Sequence, residues 1–194
     1  MGAPLGARGP VAVVAMRIEA VALGRPVVVC GMGPGRAAAA GVSLAERLAP
    51  AGAVVVTGVC GALDPALGSG TVVMADAVRR AGGDAVTLAP LPGLRQALQL
   101  AGLPVVGGTV VSAAAVVRGA ARRELAREGA VVDKEAAALV EVLGDRPVAV
   151  VRVVADTPRS GMVRGGLVAL RALRRVGHAL DGWSPPGWQP VASG

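Results

Sequence analysis

The sequence predicts an α/β fold with a mostly parallel sheet covered by helices. Two observations carry this. Val- and Ala-rich runs of strand length alternate with Arg-, Glu-, Ala- and Leu-rich runs of helical period, the pattern of strand–helix–strand units. The strand-like runs are also continuously apolar rather than alternating, as strands covered on both faces are. Strands are expected near 11–16, 26–30, 53–58, 71–76, 107–112, 130–133 and 147–154. Helices are expected near 36–48, 92–101, 118–128, 135–144 and 164–180. In such sheets ligands gather beyond the carboxyl ends of the strands. That directs attention to Glu19, Gly31–Gly35, Gly58–Asp64, Ser112, Asp133–Glu135 and Asp156.

The chain has 194 residues, enough for one domain with a continuous core. No composition shift divides it before a Pro-, Gly- and Ser-rich tail, so residues 1–183 are expected as a single domain and 184–194 as a flexible tail. There is no Phe or Tyr, and Trp183 and Trp188 are the only aromatics. The core is therefore aliphatic, and a ligand pocket outside the tail has no ring on which to stack a base.

The net charge of +7 rests almost entirely on Arg, with Lys134 the single Lys. The arginines are scattered and do not alternate with aromatics, which argues against a nucleic-acid partner. Cys30 and Cys60 each follow a Val-rich run and read as buried, reduced thiols. A lone His, His178, leaves no His pair for a metal or a proton relay, and no metal site is expected. The apolar run Val11–Met16 is soon followed by Arg17 and Glu19, too short for a signal peptide. No uncharged stretch is long enough to span a membrane, so the chain is expected in the cytoplasm.

Gly31-Met-Gly-Pro-Gly35 opens a helix after a strand and lets backbone N–H groups, Gly33 among them, approach a polar ligand. It is not a dinucleotide fingerprint: the third glycine would fall at Arg36, and no acidic residue follows at ribose distance. A tight strand-to-helix turn accounts for it equally well.

Thr57-Gly-Val-Cys-Gly-Ala-Leu-Asp-Pro-Ala-Leu-Gly-Ser-Gly-Thr-Val-Val73 is more specific. It resembles the core signature of the nucleoside phosphorylase/nucleosidase family, TG-x-x-GG-L-x-P-x-L-x-x-GD-x-V. Gly58, Gly61, Leu63, Pro65, Leu67, Gly70 and Val73 fit. Ala62 replaces the second Gly and Thr71 the Asp. The resemblance covers roughly residues 11–160 and implies a three-layer αβα sandwich with a mostly parallel, mixed central sheet.

Three further stretches carry the resemblance. Ala130-Val-Val-Asp-Lys-Glu-Ala-Ala is similar to the family's V-[DE]-M-E-[SAT]-A-A, whose Glu binds the ribose hydroxyls; Glu135 inherits that role. An ionised carboxylate suits it, because it accepts two hydroxyl hydrogen bonds at once. Lys134 stands where the family has Met, placed to neutralise Glu135 or to reach a ligand anion. Val148-Ala-Val-Val-Arg-Val-Val-Ala-Asp156 resembles V-R-x-x-S-D, whose Asp hydrogen-bonds the purine and protonates N7. Asp156 and Arg152 match it, and Ala155 replaces the Ser. Ala15-Met-Arg-Ile-Glu19 resembles the start of the hydrolytic branch, whose Glu activates the attacking water. Taken singly, Glu135 is a helix-start carboxylate, Asp156 a turn former and Glu19 a solvated helix residue; together and in family order they imply a site.

The resemblance implies cleavage of a purine N-glycosidic bond, through an oxocarbenium-like transition state. Asp156, Glu19 and Arg152 would be catalytic. Glu135, Lys134, Gly33, Gly58, Val59, Ser112 and Val116 would bind substrate. No cofactor is implied, although phosphate is a conceivable co-substrate. The Arg and Ser that hold phosphate in hexameric relatives are replaced by Val56 and Val59, so water oriented by Glu19 and Arg152 is the expected nucleophile. The leaving group implied is adenine, resting on the small side chains of Ser112–Val117. A homodimer is implied.

Gly31-Met-Gly-Pro, Val59 and Leu63-Asp-Pro-Ala-Leu67 resemble the hopanoid-associated subgroup, which removes adenine from an adenosyl-hopane lipid. The stripe Leu167, Leu170, Leu173, Val176 and Leu180, flanked by Arg164, Arg171, Arg174, Arg175 and His178 and followed by both Trp residues, would suit peripheral contact of residues 164–188 with an anionic bilayer. The same stripe also fits a helix packed on the sheet. The alternatives are a nucleosidase for soluble 5′-substituted thionucleosides or futalosine-like compounds, a phosphate-dependent phosphorylase, and a non-catalytic nucleoside-binding relic.

Overall fold

The computed structural model describes residues 9–48, 52–157 and 162–185. Among them run eight strands and six helices: β1 (Val11–Val14), α1 (Arg17–Leu23), β2 (Val27–Val29), α2 (Pro34–Arg47), β3 (Val54–Ala62), β4 (Val72–Arg80), β5 (Ala85–Thr87), α3 (Leu94–Leu100), β6 (Val105–Ser112), α4 (Gly119–Leu125), β7 (Val131–Asp133), α5 (Ala136–Leu143), β8 (Val148–Asp156) and α6 (Met162–Asp181). The fold is the expected α/β sandwich with a mixed sheet. Pairs β1/β2, β1/β3, β3/β8, β4/β6 and β6/β7 are parallel, while β3/β7, β4/β8 and β4/β5 are antiparallel.

The sheet folds back on itself. β8 lies between β3 and β4, β6 pairs β4 and β7, and β7 returns to β3, so five strands close a ring. β3 makes this possible by changing partners along its length. Its first half pairs β1 at Val54–Val56, and its last two residues, Gly61 and Ala62, pair β7. A register shift between Cys60 and Gly61 marks the bend, and a second lies between Ala75 and Ala77 on β4. Extra residues of this kind bend a strand and sharpen its twist.

Apolar side chains fill both faces. One core joins α2 and α5 to the sheet through Leu44, Leu139, Leu143, Val54 and Val56. The other joins α1, α3 and α6 through Leu23, Leu94, Leu98, Leu173, Val176, Leu180 and Trp183. α6 packs closely on the end of β8 and on α1 because it carries glycines at both contacts. A Cβ on Gly165 would lie 1.8 Å from the Ala155 carbonyl oxygen, and one on Gly177 would lie 1.9 Å from that of Leu23.

Several expectations are corrected here. α1 was not anticipated, because it starts directly behind β1 and has only seven residues. Its first turn is held by the Glu19 carboxylate, which reaches back to the Met16 N–H. β5 was also missed. It is a three-residue exposed edge strand, and its pattern carries no burial signal. β3 and β4 run four residues beyond their expected ends, where the ring closes.

The stripe on α6 faces the protein from Leu170 onward, while Leu167 at its start is exposed. Leu173, Val176, Leu180 and Trp183 are buried, and the Trp183 indole N–H donates to the Pro92 carbonyl at 3.0 Å. Among the described side chains of α6, the large apolar residues Leu167 and Val168 stand exposed. Most of the face expected at a bilayer is thus used for packing on α3 and the sheet. Trp188 and the rest of the tail beyond residue 185 lie outside the described residues. Among the described residues, no helix is long and apolar enough to cross a membrane.

Candidate active site

The ends of β1, β3, β7 and β8 converge on an open cavity of about 200 Å3. Its wall includes Glu19, Val59, Val116, Lys134, Glu135 and Asp156, six of the residues singled out in the sequence. Glu135 and Asp156, 21 positions apart on separate elements, therefore share one cleft. Met32, Cys60, Ala115, Val117 and Arg122 complete much of the lining. No aromatic ring stands in it, as the composition required.

Glu19 is 1 % exposed. Its Oε2 accepts from the N–H groups of Ala15 (3.0 Å) and Met16 (2.8 Å), and its Oε1 accepts from that of Val59 (2.8 Å). A carboxylate offers four acceptor sites. Three are taken by backbone, so the side chain is rigid, and one site on Oε1 remains. Burial raises the carboxyl pKa above its ordinary value; the Val59 N–H, Arg152 and the Met16 N–H oppose this, and Glu135 adds to it.

Gly58 allows that geometry. It sits at φ +135°, and a Cβ there would lie 2.6 Å from Glu19 Oε1 and 3.0 Å from Arg152 Nη1. Its part is to leave room behind the wall. Gly58 does not line the cavity, and neither does Gly33, whose N–H donates to Glu135 Oε1 at 2.9 Å. This bond ties the glycine turn before α2 to the start of α5 and holds Glu135 at the cavity, where it is 6 % exposed.

Ser112 and Arg152 also stand behind the wall rather than in it. Arg152, 1 % exposed, donates through Nη1 to the Thr57 carbonyl (2.8 Å) and through Nη2 to Asp133 Oδ2. Asp133 also accepts from the Ser112 hydroxyl and from the Ala136 N–H (3.1 Å), and Ser112 Oγ accepts from the Ala137 N–H (3.0 Å). Asp133 and Ser112 thereby satisfy two N–H groups at the start of α5 that the helix itself leaves open. Burial alone would lower the Arg152 pKa; Asp133, Glu135 and Glu19 around it reverse this and raise it. Arg152 is thus the buried counter-ion of three carboxylates and does not itself reach the cavity.

Arg122 was not anticipated. It lies on α4, and its Nη1 donates to Asp156 Oδ2 at 2.7 Å. Its Nε and Nη2 donate to the Ala62 carbonyl at 2.8 and 2.6 Å, and Nη2 also donates to the Asp156 carbonyl at 2.9 Å. One side chain thus clamps the ends of β3 and β8 together. Arg122 and Asp156 also wall a neighbouring cavity of about 700 Å3 with Arg118 and Arg123. Nothing in a seven-residue helix without a buried side chain marks which of its arginines would turn inward.

Both cysteines are free and buried. Burial pushes the Cys30 thiol up to about 11 and the Cys60 thiol higher still. Neither is an activated nucleophile.

The phosphorylase superfamily model matches residues 7–164. The fold is shared with the 5′-methylthioadenosine/S-adenosylhomocysteine nucleosidase of Neisseria meningitidis: TM-score 0.74, 20 % identity, 90 % of this chain and 100 % of that one. The nucleosidase of the same description from Campylobacter jejuni gives TM-score 0.73 at 12 % identity, over 90 % and 97 % of the two chains. A futalosine hydrolase mutant of Helicobacter pylori gives TM-score 0.69 at 14 % identity, over 89 % and 97 %. A sequence search among curated proteins finds no match. At these identities the structural likeness speaks to the fold.

Proposed function

Because this chain belongs to the phosphorylase superfamily, we propose that it hydrolyses the N-glycosidic bond of a 5′-substituted purine nucleoside. One observation carries the reading: Glu19, Glu135 and Asp156, supplied by three separate segments, wall the same cavity. Each answers one demand of the reaction. Cleavage builds positive charge on the sugar and negative charge on the departing base. Glu135 accepts the sugar hydroxyls and lies under the growing cation. Glu19 uses its one remaining acceptor site to hold a water and take its proton as the oxygen attacks C1′. Asp156 meets the purine at the other end.

Water rather than phosphate is the nucleophile on this reading. A phosphate site needs converging donors. Val56 is buried, Val59 presents an apolar side chain, and the Val59 N–H is already given to Glu19. Of the cations in the wall, Arg122 is committed to Asp156, which leaves Lys134.

At the cavity mouth Met32 and Val116 are 54 % and 60 % exposed, beside Ala115 and Val117. This rim favours an apolar 5′ substituent. Of the compounds named for the structural neighbours, 5′-methylthioadenosine carries such a substituent and serves as the leading substrate type, with S-adenosylhomocysteine and futalosine as the charged comparisons. An adenosyl-hopane lipid would also fit an apolar rim, but α6 buries most of the stripe that would have met the bilayer, so a soluble nucleoside is preferred.

Base release from a panel of 5′-substituted purine nucleosides, measured with and without phosphate, tests this. Release independent of phosphate is expected. Strict phosphate dependence would turn the reaction into phosphorolysis. No release from any substrate would leave a nucleoside-binding protein without catalysis.

A further inference from the structure

We infer that Arg122 is a positioning residue for base departure: it fixes the Asp156 carboxylate at the cavity, and its charge offsets the negative charge that the departing base brings there. The inference rests on the nucleosidase reading above.

Three oxygen atoms hold Arg122. Nε and Nη2 donate to the Ala62 carbonyl, Nη2 donates also to the Asp156 carbonyl, and Nη1 donates to Asp156 Oδ2. These partners sit on the ends of two strands, so the planar fork is held in one orientation. Bare backbone lies beneath the pair: a Cβ on Gly61 would stand 3.4 Å from Arg122 Nη2 and 3.8 Å from Asp156 Oδ2. With Oδ2 committed to Arg122, Oδ1 is the oxygen that Asp156 brings to the base. The two side chains are 14 % and 32 % exposed, so solvent screens their attraction less than that of a pair on the open surface. Lys134, the other cation in the wall, adjoins Glu135 in the chain. Arg122 is therefore the cation at the Asp156 end.

The demand on this pair grows as the reaction proceeds. When the C1′–N9 bond breaks, its electron pair enters the purine. The base and Asp156 together then carry one more negative charge than in the substrate complex. This holds whether or not Asp156 has already passed a proton to the base, because a proton moving between the two leaves their summed charge unchanged. A cation fixed beside them is therefore worth more in the transition state than in the substrate, which is the condition for a gain in rate. The water oxygen bonds C1′ and passes its proton to Glu19. The base takes one proton, relayed from solvent by Asp156, and Glu19 returns its own to solvent. Free sugar and neutral base result. Arg122 takes its part without a contact to the base, through the carboxylate it holds.

The test uses the whole protein and a nucleoside pair: the member of the panel above that is cleaved fastest, 5′-methylthioadenosine in the first instance, and its 2-fluoropurine counterpart. The two are alike at N7 and C6, and the fluorine makes the base anion easier to release. The readout is the rate of base release in a single turnover at saturating enzyme, which reports the bond-breaking step. In Arg122→Gln the rate on the unfluorinated substrate should fall about 10²-fold, the scale of one lost preorganised group. The fluorinated substrate should lose about fivefold less, because its transition state asks less of the wall. Arg122→Lys should fall between, since a point charge keeps the attraction without the fork, and it carries the same comparison if the glutamine variant does not fold. Asp156→Asn should shift the ratio of the two rates the same way. The double variant should match Asp156→Asn within about threefold, because residues acting as a unit are not additive. Equal losses on both substrates, or single losses that multiply in the double variant, overturn this inference and leave the nucleosidase reading standing. No release by the wild type from any member of the panel overturns both.

Discussion

Glu19 combines near-complete burial with three backbone hydrogen bonds, and both features predict what its removal does. In Glu19→Gln the amide nitrogen must face at least one N–H donor that the carboxylate had satisfied. We expect base release to fall about 10²–10⁴-fold, the usual worth of a general base, with a loss of about 1–3 kcal/mol in stability for a mispaired buried donor. Its pH behaviour has a definite sign. The folded pKa lies above the ordinary 4.5 because burial penalises the charge. The stability it contributes is complete below 4.5 and is lost as pH rises through the raised value. Activity, which needs the ionised form, rises over that same window. A kcat/KM profile should show an acid limb above pH 4.5 in the wild type and none in Glu19→Gln. Glu19, Glu135 and Asp156 were legible in the sequence because each ends a recognisable strand motif. Asp133 was placed at a strand end without its tie to Arg152, and Arg122 was not singled out at all. Arg122 meets Asp156 from 34 positions away, on a helix whose neighbouring arginines look identical.

At the scale of elements, β3 decides most. Its first half belongs to an open parallel sheet and its last two residues to a ring, and Gly58 stands between them at the back of Glu19. Gly58→Ala forces a left-handed φ on a residue with a Cβ and drives that Cβ against the Glu19 carboxylate. A destabilisation of about 1–3 kcal/mol is expected from the backbone, read by urea denaturation. Activity should fall about a hundredfold, since a displacement of about 1 Å in a reacting group costs that much. The family motif pointed to Gly58, but toward the substrate. The structure puts it behind the carboxylate instead. α6 teaches a related lesson. Its stripe fitted both a bilayer and a sheet, because amphipathic spacing does not name the surface it meets. The indole hydrogen bond to Pro92 and the glycine contacts at Gly165 and Gly177 show that it meets this protein.

The whole molecule is organised around a buried cluster of charges that no single segment contains. Arg152 on β8, Asp133 on β7, Glu19 on α1 and Glu135 before α5 meet only because β3, β8, β4, β6 and β7 close a ring. Arg152→Met leaves Asp133 and its neighbours without their counter-ion. We expect a loss of about 3–5 kcal/mol, as for breaking a buried pair by deleting one partner, measured by urea or thermal denaturation. Adding Asp133→Asn to Arg152→Met should recover part of it, since the amide removes one uncompensated charge and keeps an acceptor for the Ala136 N–H. Recovery would show that Arg152 serves stability apart from any effect on catalysis.

Taken alone, the order of residues determined the alternation of strands and helices, the aliphatic core and the strand-end positions of the three carboxylates. These are local properties: periodicity sets which face is apolar, and small residues permit tight turns. Tertiary structure decided the rest: that Arg152 and Ser112 stand behind the cavity, that Arg122 stands beside Asp156, and that α6 packs inward. Those depend on which side chains become neighbours when the ring closes. Hydrogen-bond partners and buried counter-ions are chosen by distance in space, which spacing along a chain does not encode.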